Sequence, residues 1–99
     1  MNTDRRLMPR YNVVLPISAG NVRGTTRNVG VNGVSFVAPA ALGLEESIAF
    51  SITLSPEPNA LAMNCKGVVK RATRMKDGQY EIVATIDALD LDVPSSSRA

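Results

Sequence analysis

Apolar and polar residues alternate in several short runs along the chain, with the period of two that β-strands have. The alternation is clearest over 48–54 and 80–86, where every second residue is apolar. Glycine, proline, asparagine and aspartate separate the runs, and these residues favour turns. The pattern predicts six strands, over 11–19, 22–28, 34–38, 47–54, 60–75 and 79–86, and a short helical turn over 87–93.

Six short strands joined by turns predict an all-β fold, a six-stranded antiparallel β-barrel. A barrel is favoured because closure removes the exposed edges of so small a sheet. The chain has 99 residues, 44% of them hydrophobic, which is enough for one core. We therefore expect one domain over 11–93, a flexible basic arm over 1–10 and a disordered tail over 94–99.

Two polar segments stand out against this β-rich background. The stretch Asn28-Val29-Gly30-Val31-Asn32-Gly33 separates the second and third predicted strands, and its asparagines and glycines tolerate turn or left-handed geometry. The segment Arg5-Arg6-Leu7-Met8-Pro9-Arg10 places three guanidinium groups before the first strand. Together they predict a site for an anionic, planar ligand.

The distribution of charge supports this interpretation more than the net charge of +2 does. No acidic residue lies between Arg5 and Leu44. If the basic residues of this region converge, they form a positive surface without a local counter-charge, which suits a phosphate-bearing partner. These residues are Arg5, Arg6, Arg10, Arg23 and Arg27. A second basic run, 66–76, is interpreted as a solvated face.

Several kinds of chemistry are excluded by composition. The chain has no histidine and a single cysteine, so Cys–His and Ser–His catalysis and an intrachain disulfide are excluded. Cys65 lies in an apolar alternation and is expected in the core. The aspartates of 87–92 lack calcium-loop spacing and are interpreted as solvated charge. We expect no enzyme, no metal, no secretory signal and no membrane insertion, hence a cytoplasmic protein.

At this point the chain resembles the PilZ domain family, over nearly its whole length. That family has a six-stranded β-barrel that binds the bacterial second messenger cyclic di-GMP. Its RxxxR arm is similar to Arg6-Leu7-Met8-Pro9-Arg10, and its [D/N]xSxxG motif is similar to 28–33. The late Gly67-Val68-Val69 run is similar to a GxV strand of the family.

The resemblance implies how each residue would meet the ligand. Guanidinium groups of Arg6 and Arg10 would fork onto phosphate or guanine, with Arg5 as an additional contact. An arginine directly before the arm favours an intercalated ligand pair. Asn28 would bind a guanine edge, and Gly33 would let the backbone bend beside the ligand. The implied ligand-binding residues are Arg5, Arg6, Arg10, Asn28, Gly30 and Gly33.

Gly30 departs from the family pattern, because it stands where the motif has serine. The missing hydroxyl removes a hydrogen bond to a charged group, which costs ~1.5–3 kcal/mol. That loss corresponds to roughly tenfold or more in affinity. We expect weakened binding rather than its complete loss, since a bridging water can replace a direct bond.

Three function classes follow from the sequence. The first is a single-domain cyclic di-GMP receptor that changes conformation and relays the signal to a protein effector, in motility, exopolysaccharide or biofilm machinery. The second is a degenerate PilZ-like module that acts by protein–protein contact without the ligand. The third, binding of single-stranded nucleic acid, is the weakest because stacking needs exposed aromatic residues. We expect no DNA or RNA partner, no cofactor, and a monomer or weak dimer.

Overall fold

The computed structural model describes residues 10–55 and 61–92, and the regular structure over these residues is entirely β-strand. Residues 1–9 of the predicted arm and the predicted tail lie outside the described residues. The strands, in chain order, are β1 Arg10–Tyr11, β2 Pro16–Ala19, β3 Val22–Gly30, β4 Gly33–Ala38, β5 Ser47–Ser55, β6 Leu61–Arg74, β7 Tyr80–Thr85 and β8 Ala88–Asp92.

Six of these strands close into an antiparallel barrel, as the sequence predicts. Neighbours follow the order β3-β2-β5-β6-β7-β4, and β4 pairs again with β3. The two remaining strands extend the barrel. β1 pairs with the end of β3 beyond β2, and β8 pairs with the first half of β6 beyond β7. The long strands β3 and β6 therefore each carry two partners along one edge.

The barrel interior is filled by the alternating apolar residues of the strands. Phe36, Ile52, Val69 and Ile82 are almost completely buried, and the predicted inward face of β7 is confirmed. Cys65 is buried in this core, as expected, and its burial raises the pKa of the thiol above its usual value. The full core is Ile17, Ala19, Val34, Phe36, Ala38, Phe50, Ile52, Cys65, Val69, Ile82, Ala84 and Ile86.

The predicted first strand, 11–19, is wrong in its middle. Residues 12–15 leave the sheet, Tyr11 and Val14 are exposed, and the ladder resumes only at Pro16. Proline has no N–H to donate and is tolerated as the first residue of a strand, which is the position of Pro16 in β2. The interruption divides the first strand into β1 and β2, which both pair with β3.

The predicted helical turn over 87–93 is also wrong. Ala88–Asp92 forms β8, antiparallel to β6, with Cys65 opposite Leu89 and Asn64 opposite Asp90. The segment alternates leucine with aspartate, a period of two that suits a strand. β6 is long enough to offer a free edge there, because β7 pairs only with its second half.

Gly67 lies where the partner of β6 changes from β8 to β7, and the backbone of Thr85 passes close to it. A Cβ atom at this position would lie 1.8 Å from the carbonyl oxygen of Thr85. The Thr85 hydroxyl also accepts a hydrogen bond from the Val68 N–H at 2.9 Å. The crossing therefore requires glycine for its lack of a side chain.

We expect Gly67→Ala to lower the free energy of unfolding by about 3 kcal/mol, because overpacking forces the backbone at Thr85 to move. The melting temperature of so small a domain should fall by about 10 °C or more. Gly20→Asn is the matched control: Gly20 has φ +63°, which asparagine tolerates, and no atom lies within 4 Å of its added Cβ. Equal melting temperatures for the two variants would contradict the steric explanation.

Candidate ligand site at the β3–β4 hairpin

The hairpin between β3 and β4 is fixed to the end of β7. Val31 and Asn32 connect the strands and are exposed, while the Asn32 carbonyl accepts a hydrogen bond from the Ile86 N–H at 2.9 Å. A Cβ atom on Gly33 would lie 3.0 Å from the Ala84 carbonyl oxygen. Gly33 thus allows β4 to lie close to β7.

The asparagines and glycines of this hairpin tolerate left-handed backbone, but the connection does not use it. Among the described residues, positive φ occurs at Gly20, Gly78 and Glu45. The first two lie in the predicted turns before β3 and β7, where left-handed geometry closes a tight connection. The β3–β4 connection instead depends on the close approach at Gly33.

β1 brings the two predicted motifs together. Arg10 lies opposite Gly30, and Tyr11 lies opposite Val29. The last residue of the RxxxR segment is therefore paired, through the backbone, with the centre of the 28–33 motif. Antiparallel pairing fixes this register, because the backbone hydrogen bonds of the ladder repeat every two residues.

A buried hydroxyl holds the irregular segment that follows β1. Thr26 is 1% exposed; its Oγ1 accepts a hydrogen bond from the Leu15 N–H at 2.9 Å and donates one to the Val13 carbonyl at 2.6 Å. The Thr26 N–H also donates to the Leu15 carbonyl at 2.9 Å. These bonds replace the ladder that is interrupted between β1 and β2, and they satisfy the buried hydroxyl.

Asn28 heads a row of residues that crosses four strands. It lies opposite Ser35 of β4, which lies opposite Val83 of β7, which in turn lies opposite Arg71 of β6. A bulge precedes Asn28, because Thr26 and Asn28 pair with consecutive residues of β4 and Arg27 is the extra residue. The bulge leaves Arg27 exposed at the edge of this row.

Arg27 has a counter-charge, contrary to the expectation of an uncompensated positive surface. Its Nη1 lies 3.4 Å from Oε2 of Glu81, and the Ser35 hydroxyl donates to the same oxygen at 3.1 Å. Glu81 belongs to β7, far away in sequence, and reaches Arg27 because β7 and β3 both flank β4. Both charged side chains are partly exposed, so the pair is weak and exchangeable.

A cavity of about 270 Å³ lies beside the hairpin. The hairpin residues 30–33 form one wall, residues 83–85 of β7 form another, and Lys70 of β6 completes the lining. A larger groove of about 650 Å³ lies elsewhere, across β2, β5, β6 and β8, with Lys66 and Asp90 as its charged lining residues. We place the candidate site at the hairpin because residues 30–33 of the predicted motif line this cavity and the backbone of Arg10 pairs with Gly30.

The structure positions only part of the predicted site. Asn28, Gly30 and Gly33 lie on one hairpin with the backbone of Arg10 beside them, whereas Arg5 and Arg6 lie outside the described residues. Sequence reasoning missed Ser35, Lys70 and Arg71, which face this region from β4 and β6. The consecutive exposed residues Lys70 and Arg71 break the strand alternation, which is the signal of a bulge.

The comparisons with known proteins agree with the fold. A family model described as PilZ domain matches residues 3–96. The chain belongs to the PilZ domain family. A solved structure, the inhibitor of motility MotI/DgrA of Bacillus subtilis, is similar with a TM-score of 0.70 at 17% identity. The similarity covers 95% of this chain but only 46% of that one, so the chain corresponds to about half of its length.

No curated protein matches the chain. Over 10–55 and 61–92, no helix is long and apolar enough to cross a membrane.

We expect Thr26→Val to destabilise the protein by about 1–3 kcal/mol, because the Leu15 N–H and the Val13 carbonyl lose their partner. Hydrogen exchange at the Leu15 amide should become faster than exchange in the β5–β6 ladder. Thr25→Val is the matched control, since Thr25 is the exposed neighbour on the same strand. The assignment is wrong if both variants show the same unfolding free energy and the same Leu15 exchange rate.

Proposed function

We propose that this protein is a cytoplasmic bacterial receptor for cyclic di-GMP, which binds at the β3–β4 hairpin and relays the signal to a protein partner. The main support is the pairing of Arg10 with Gly30, because it brings the arginine segment to the family motif. Membership of the PilZ domain family supports the class of ligand.

The chemistry of the ligand matches the residues gathered at this hairpin. Cyclic di-GMP has two phosphates and two guanine bases. Arginine forms bidentate hydrogen bonds with phosphate oxygens or with the guanine O6 and N7 atoms, and it stacks on purine faces. Asn28 offers an amide that can both donate to and accept from a guanine edge. In this proposal, Arg6 and Arg10 bind the phosphates or guanine bases of the ligand, and Arg5 contributes to the same binding.

The signal is a change in the segment that leads into β1. β1 has only two residues, Arg10 and Tyr11, and both pair with residues of β3. A ligand that contacts both the arginines and the hairpin favours the conformation in which the two are closed together. The altered surface is then available to a protein partner. The similar solved structure is named as an inhibitor of motility, which makes motility machinery one candidate, beside exopolysaccharide and biofilm machinery.

A second candidate function is a protein-interaction module that has lost the ligand. Two observations favour it: Gly30 stands where the family has serine, and Arg27 is already engaged by Glu81. Neither removes the arginine segment, so the receptor is the preferred proposal.

We expect isothermal titration of the protein with cyclic di-GMP to give saturable binding that the Arg6→Ala, Arg10→Ala double variant loses. Removing two charge-assisted contacts costs about 3 kcal/mol or more, roughly a hundredfold in affinity. By the family resemblance, Arg5 favours two ligand molecules per chain.

The matched control for this titration is the Arg23→Ala, Arg74→Ala double variant, which removes two exposed arginines away from the hairpin. It should bind like the wild type, and GTP should bind to neither protein. No heat and no thermal stabilisation of the wild type at high ligand concentration would refute the receptor proposal and leave the interaction module.

We expect Gly30→Ser to tighten binding by roughly tenfold, because it restores the hydrogen bond to the ligand. Gly30→Ala is the control, since it adds the Cβ atom without the hydroxyl. The measurement is the dissociation constant of each variant for cyclic di-GMP. Equal affinities of the serine and alanine variants would show that the hydroxyl makes no contact.

A further inference from the structure

Lys70 occupies a bulge in β6, beside the candidate site. Val69 lies opposite Ala84 and Arg71 lies opposite Val83, which leaves Lys70 as the extra residue between them. A bulge redirects a side chain that a regular ladder would place elsewhere. Lys70 is thereby one wall of the cavity at the β3–β4 hairpin, and among the described residues that line this cavity it alone is charged.

The charge of Lys70 is masked by a carboxylate. Its Nζ lies 3.2 Å from Oε2 and 3.3 Å from Oε1 of Glu45. The Lys70 and Glu45 side chains are 50% and 69% exposed, respectively. An exposed lysine–glutamate pair adds little to stability, and water or another anion exchanges with it readily.

Glu45 reaches Lys70 from a backbone conformation that a side chain disfavours. Its φ is +63°, the one positive value at a non-glycine residue in the described chain. The Glu45 N–H donates to the Val69 carbonyl at 2.7 Å, and the Val69 N–H donates to the Glu46 carbonyl at 3.0 Å. Glycine would suit this position better for folding alone, so the carboxylate has a use that its weak ion pair does not explain.

We propose that Lys70 is an anion-binding residue of the hairpin cavity and that Glu45 is its built-in competitor. A phosphate group that enters the cavity displaces the Glu45 carboxylate from Lys70. The identity of the phosphate as one from cyclic di-GMP rests on the proposed function. Glu45 then sets the affinity threshold of the site, because every ligand must first exceed the attraction of the internal carboxylate.

The test is a double-mutant cycle of Lys70→Met and Glu45→Gln, with cyclic di-GMP titrated into each variant. We expect Lys70→Met to weaken binding by about tenfold, the value of one hydrogen bond to a charged group, and Glu45→Gln to tighten it about threefold. In the Lys70→Met background, Glu45→Gln should have no further effect, since the competitor then has nothing to mask. Lys66→Met and Glu46→Gln are the matched controls and should bind like the wild type.

A second probe separates this inference from the proposed receptor function. Inorganic pyrophosphate is added to ¹⁵N-labelled protein, and the amide shifts of Gly33, Lys70 and Thr85 are followed. We expect saturable shifts in the wild type that are lost in Lys70→Met and retained in Lys66→Met.

Each outcome decides one of the two proposals. Binding of cyclic di-GMP with identical affinity in wild type, Lys70→Met and Glu45→Gln overturns the role of Lys70 and leaves the receptor intact. If no protein binds cyclic di-GMP, pyrophosphate shifts that depend on Lys70 still support an anion site with a different ligand. Absence of the Lys70-dependent pyrophosphate shifts overturns the anion site.

Discussion

Closure of the sheet through β3 is the constraint on which the remaining structure depends. β3 pairs with β4 along one edge and with both β1 and β2 along the other. Each pairing fixes the register of a different part of the chain, so a slip of β3 by one residue would turn its inward residues outward. Thr26 sits at the centre of this arrangement. Its buried hydroxyl satisfies the backbone where the ladder on one edge is interrupted.

Two of the three register shifts among the described strands place a charged residue in the same region. Arg27 is the extra residue of β3 and Lys70 is the extra residue of β6, and each bulge places a cation near the hairpin. Each cation is held by one glutamate from another part of the chain, Glu81 or Glu45. The charges of Arg27 and Lys70 are therefore each balanced by a carboxylate. Their positive charge becomes available to another anion when those weak, solvent-exposed pairs are exchanged.

The sequence predicted the barrel well because alternation reports directly which residues face the core. Phe50 and Ile52 are buried, as the alternation over 48–54 indicated. The errors lie where local apolar alternation and long-range strand pairing favour different structures. Residues 12–15 leave the sheet inside a strand that apolar alternation made continuous, and residues 88–92 form a strand because β6 offers an unpaired edge. Nothing near those residues in the sequence reveals that edge.

Only part of the candidate site could be predicted from the sequence. Its glycines and asparagines form a contiguous motif, whereas Ser35, Lys70 and Arg71 come from strands that only the closed sheet brings together. Counter-charges such as Glu81 follow from strand order and not from the local density of arginine. Charge patterns along a chain therefore describe composition, and the topology decides which charges meet.

The two-residue strand β1 has a consequence for the arginines that precede it. Arg6 stands four residues before Arg10, whose backbone is paired with Gly30. A backbone segment of that length can extend by at most about 14 Å, which limits how far the Arg6 Cα atom can lie from the Arg10 Cα atom. Such a tether gives a local concentration in the millimolar range or above, whatever the concentration of protein in the cell. In the proposed receptor, capture of a dilute ligand is then an intramolecular closing step that follows the first contact.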